Sequence, residues 1–165
     1  MGARGRKPGS RGATWFFRVR GDSARVAQSE ADWAREKLLG RFWESVYRSL
    51  DSAFKAHPAS AAERLAARDT IFARARATFA VDIAPRLPGY RPGAPVRLRL
   101  NNALLLARRV YRTGLDLFDG VYAREGNDLR RAIARVIALA GSRPKDPYAA
   151  LHEWLASPTT EATAK

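Results

Sequence analysis

An all-α fold follows from three features of the 165-residue sequence. Apolar residues recur at steps of three and four through most of its length, the spacing that gathers them on one face of a helix. Residues that cap helices stand immediately before these runs, and glycine or proline stands after them. No segment of useful length alternates apolar and polar residues strictly; residues 96–100 are the single strand candidate and are too short to stand alone. The expected architecture is a long helical hairpin followed by several short helices in an irregular bundle.

Residues 1–11 carry four positive charges and no large side chain except Met1, so they read as a disordered basic leader. After the aromatic stretch Trp15-Phe16-Phe17 and Gly21, Asp22 or Ser23 caps a long run. Its apolar residues are Val26, Trp33, Leu39, Phe42, Trp43, Val46, Leu50 and Phe54. Gly40 lies inside it at a cost of about 1 kcal/mol relative to alanine, which marks a kink or a close contact. His57-Pro58 stops the helix, because proline disfavours helical backbone at the residue before it. Ser60 and Glu63 have capping-box spacing, and the helix they open carries Leu65, Phe72, Phe79 and Ile83. Two amphipathic helices joined by so short a turn pack antiparallel to bury their stripes.

A proline- and glycine-rich loop follows, from Ala84 to Pro95. Asn101-Asn102 caps a helix with Leu104, Leu105, Leu106, Val110 and Tyr111. Thr113 to Asp116 has the spacing of another cap, opening a helix with Leu117, Phe118, Val121 and Tyr122. Gly126 ends that helix, and Asn127-Asp128 caps the next, with Leu129, Ile133, Val136 and Ile137, which stops at Gly141. Asp146 with Pro147 at the first helical position opens a last helix with Tyr148, Leu151, Trp154 and Leu155. The domain reading is a single helical domain over residues 12–156, with a frayed polar tail over 157–165.

Composition closes several function classes. With no cysteine there are no disulfides, thiolate metal sites or cysteine nucleophiles. The two histidines, His57 and His152, stand ninety-five positions apart, so no local pair of imidazoles holds a metal. No apolar run approaches the roughly 20 residues of a membrane span, and no signal peptide is visible. The compartment is left open. The formal net charge of +14 comes from 30 Lys+Arg against 16 Asp+Glu, and only five of the basic residues are lysine. Arginines spread along helical repeats, rather than gathered in a stripe, favour compositional bias over a phosphate-binding footprint. A basic helical module for nucleic acid or an acidic partner is the alternative reading.

Motifs for chemistry are incomplete. His152-Glu153 begins like the zinc-peptidase sequence H-E-x-x-H, but the fifth position is Ala156, so the second imidazole is missing. His57 reads as a solvated turn residue. No phosphate loop or nucleophile elbow is present. The pairs Asp116/Asp119 and Glu125/Asp128 read as caps and surface ion pairs, and the tryptophans and tyrosines as core.

Several stretches nonetheless resemble one family. Trp15-Phe16-Phe17-Arg18 and Arg20-Gly21-Asp22 come first, then Leu39-Gly40 with Phe42, and residues 71–76. Leu100-Asn101-Asn102-Ala103, Tyr111, Phe118 and residues 124–129 follow in order. This pattern, over roughly residues 12 to 155, resembles the C-terminal part of the bacterial predicted aminopeptidases, a predicted zinc metallopeptidase family. The resemblance implies peptide substrates and zinc in the intact family protein. It also implies a chain that is catalytically incomplete as given, because the family's H-E-x-x-H helix precedes the region resembled. Residues 12–156 then read as part of a larger peptidase-like domain, with no metal ligands or cofactor of their own. Self-association through exposed apolar surface is expected of such a part. Family members often carry a secretion or lipoprotein signal. Tyr111, Asn101 and Asn102 are the candidates for lining a substrate cleft; the competing reading makes Asn101 a helix cap and Tyr111 a core residue.

Overall fold

A computed structural model describes residues 10–57, 59–95 and 97–158. Seven helices lie among them: α1 (Ser10–Val19), α2 (Ser23–Ala56), α3 (Ala61–Thr78), α4 (Asn102–Arg112), α5 (Leu115–Arg124), α6 (Leu129–Ser142) and α7 (Pro147–Ala156). Phe79–Ile83 continues α3 as a wider π turn, and Ala84–Arg86 closes it as a 3₁₀ turn. No strand occurs among the described residues, and residues 97–100 are without regular structure. The fold is all-α. No described helix is long and apolar enough to cross a membrane.

The described residues form two compact units. One is Asp32–Thr113. Its core holds Phe42, Trp43, Val46 and Leu50 of α2 against Phe72 and Ala75 of α3, with Ile83 and Leu105. Phe42 meets Phe79 edge-on at 5.3 Å between ring centroids. At the other end of the hairpin the Arg64 side chain donates to the His57 carbonyl at 3.0 Å. Contacts near both ends of the pair therefore share one antiparallel register. The capping box at its turn is half formed. Ser60 accepts the Glu63 amide, but the Glu63 carboxylate turns to the His57 ring, 2.8 Å away.

The other unit joins residues up to Ala31 with Gly114 onwards. Val121, Ala132 and Leu151 form its centre, one from each of α5, α6 and α7. Trp154, Leu155, Phe118 and Val136 pack around them. Asp128 caps α6 by accepting two amides, from Arg130 and Arg131, and Asp146 caps α7 through Ala149. Gly114 stands before α5 at φ 69°, where a Cβ would meet the Tyr148 ring at 2.7 Å. The side-chain cap expected from Thr113 is absent; its hydroxyl donates back to the Arg109 carbonyl.

Other expectations need correction. Helix α1 takes in Ser10 and Arg11, the end of the segment read as a leader, because Arg11 has partners: Asp119 at 2.8 Å and the Tyr122 ring. Residues 1–9 of that leader, Pro58 of the helix stop, Val96 of the strand candidate, and residues 159–165 of the tail lie outside the described residues. Leu65 is half exposed despite its place in the predicted α3 stripe. On α4 only Leu105 is buried, while Leu106, Val110 and Tyr111 face outward. Three successive leucines turn about 100° apiece round a helix, so a narrow contact buries only one of them. Ile133 and Ile137 of α6 are exposed for the same reason, leaving Ala132 and Val136 to face the core.

Candidate functional site

Helix α4 and its cap carry all three residues singled out for a cleft, and its placement starts from its ends. Asn101 caps it, its side-chain oxygen accepting the Leu104 amide at 2.7 Å. At the other end Arg112 grips Glu36 of α2 side-on, at 2.6 Å from Nε and 3.3 Å from Nη2. The Arg112 carbonyl lies over Gly40, where a Cβ would come within 2.5 Å of the oxygen. Gly40 is thus a close-approach site rather than a kink residue. Arg109 stacks on Tyr47, 3.9 Å from its centroid. These contacts fix α4 across α2; one open cleft lies at its N-terminal end and another along the side that carries Leu104, Arg108 and Arg112.

The first cleft, of about 480 Å³, is lined by Arg68, Asp69, Phe72, Arg76, Leu100, Asn101 and Asn102. Arg68 is tied to Asp69, at 2.7 Å from Nη2. Asn101 spends its oxygen on the helix cap and keeps its NH₂ group, whereas the Asn102 carboxamide has no hydrogen-bond partner among the described residues. The second cleft, of about 390 Å³, lies between Glu36 and Leu104, Ala107, Arg108, Tyr111 and Arg112. Tyr111 forms its rim and is 81% exposed, so it is not a core residue. Asn102 and Tyr111 sit nine residues apart on one helix, about 14 Å along its axis, and each belongs to a different cleft. Arg108 was missed from sequence. Its signal was its spacing, one turn after Leu104 and three residues before Tyr111, on the same face.

Titratable groups elsewhere are held for structure. Glu125, read from sequence as a surface ion pair, is 5% exposed and bonds Arg135 at 2.7 Å and Arg131 at 3.3 Å. The Arg135 hydrogen bond, above all, holds its carboxyl below the ordinary carboxylate range; burial opposes this, and the Arg135 and Arg131 charges reinforce it. Arg124, next to it, donates to the Trp154 carbonyl and stacks on that ring. His152 is exposed on α7. His57 has Glu63 beside it, one imidazole and one carboxylate. No group of three or more His, Asp or Glu converges among the described residues. Zinc is held by three or four such ligands, so the donor sets seen here do not fit it.

Comparison with known proteins gives a family. A family model described as "Putative aminopeptidase" matches residues 9–151. No curated protein and no solved structure matches the chain.

Proposed function

This chain belongs to the family so described, and on that premise we propose that it supplies the helical, substrate-contacting part of a peptide-hydrolysing zinc aminopeptidase without itself holding the metal. The observation that carries this reading is the family match over residues 9–151 in a sequence with no H-E-x-x-H and only two histidines. The zinc-bearing helix of such an enzyme would come from residues outside this sequence. The work left to this chain is binding and orientation. A peptide backbone alternates N–H donors and carbonyl acceptors, and a free carboxamide matches both. Asn102 presents such a carboxamide in a cleft floored by Phe72, with the Asn101 NH₂ beside it. Tyr111 offers a hydroxyl donor at the second cleft.

The test is to join this chain behind the metal-helix region of another family member and assay aminoacyl-p-nitroanilide hydrolysis. The fusion is expected to turn over. Asn102→Ala in it is expected to lower kcat/KM about tenfold, about 1.4 kcal/mol of transition-state stabilisation. A fusion indifferent to Asn102→Ala contradicts the orienting role.

A further inference from the structure

The second cleft on α4 contains a cation for which the described residues supply no acceptor. Arg108 Nε is shut off from solvent and has no hydrogen-bond partner among the described residues. Among the described residues no ion pair or ring contact engages the rest of its guanidinium. The neighbouring charges cancel, because Glu36 is gripped by Arg112. One uncompensated positive charge therefore lines a space of about 390 Å³, with Leu104 and Ala107 as an apolar wall and the Tyr111 ring and hydroxyl at its rim. A guanidinium desolvated on one edge, with no protein carboxylate to meet it, gains most from an anion arriving at its open edge. One free cation among the described lining residues matches a monoanion, and the apolar wall matches a carboxylate attached to an aliphatic body.

We propose that this cleft is a carboxylate-binding site, in which Arg108 takes the carboxylate and Leu104, Ala107 and Tyr111 take the apolar group that carries it. The assignment deepens the peptidase reading by naming the ligand group of the second cleft. It is tested by equilibrium binding, which fails or succeeds independently of hydrolysis. The carboxylate has two sources, the C-terminus of a peptide or an acidic side chain.

The purified chain is titrated with N-acetyl-leucine, with its amide, and with N-acetyl-glutamate α-amide, followed by calorimetry and by amide NMR shifts. N-acetyl-leucine is expected to bind at least tenfold more tightly than its amide, with shifts at Leu104, Ala107 and Tyr111. Arg108→Gln is expected to abolish that preference. Equal or tighter binding of N-acetyl-glutamate α-amide supports the site and assigns it to acidic side chains; weaker binding supports it and assigns it to peptide C-termini. Tyr111→Ala, at an exposed position that does not threaten folding, is expected to weaken binding several-fold and serves if Arg108→Gln fails to fold. Equal affinity for acid and amide, a preference that survives Arg108→Gln, indifference to Tyr111→Ala, or no binding at millimolar ligand overturns the proposal.

Discussion

Single atoms decide much of this structure, and Gly40 is the clearest case. Alanine there would improve helix propensity by about 1 kcal/mol. Its Cβ would also press on the Arg112 backbone oxygen from 2.5 Å, and backbone yields less readily than a side-chain tip. The clash wins. Gly40→Ala is expected to lower stability by about 1–3 kcal/mol in a denaturant melt and to loosen the Arg112–Glu36 grip, which hydrogen exchange at α4 would read. Glu125 decides another point. Its carboxyl is held below its ordinary value of 4.5 in the folded chain, so its contribution to stability is complete above that value. The contribution is lost as pH falls below 4.5 and through the depressed folded value. Glu125→Gln is therefore expected to flatten the acid limb of the stability–pH curve while also lowering stability at neutral pH. A variant with an unchanged acid limb would show that the Arg135 and Arg131 contacts do not persist in solution.

At the scale of elements, caps were the most legible feature and helix faces the least. Asn101, Asp128 and Asp146 each cap the helix expected of them, because a cap is a local exchange between one side chain and the next amides. Asp128→Ala is expected to cost about 1 kcal/mol and to fray the first turn of α6, seen as faster amide exchange at Arg130 and Arg131. Which face of a short helix turns inward depends on partners distant in sequence. The leucine run of α4 and the isoleucines of α6 had the right period for burial and lie outward, because the neighbours of each helix cover only one narrow side. Glu63 shows the same limit within a cap. Its spacing announced a reciprocal box, and the nearby His57 ring drew the carboxylate away. Asn101, Asn102 and Tyr111 stood out in the sequence as polar residues of a leucine-rich helix, and each lines a cleft, while Arg108 emerged only when α4 was set against α2.

For the molecule as a whole, each of the two units has its own apolar centre, and Val121, in one of them, is 0% exposed. Val121→Ala removes packing where α5, α6 and α7 converge and is expected to cost about 2 kcal/mol, measured by chemical unfolding. Formal charge, prominent in the composition, is largely local in its use: Arg18, Arg35, Arg48, Arg112, Arg135 and Arg143 each pair with a carboxylate. The central claim is that this chain contributes binding surface to an aminopeptidase and not its metal. Zinc content of the purified 165-residue chain, measured together with aminoacyl-p-nitroanilide hydrolysis, tests it most directly. The claim predicts zinc far below one equivalent and no turnover above background; one tightly held zinc per chain, with hydrolysis that a chelator abolishes, would contradict it.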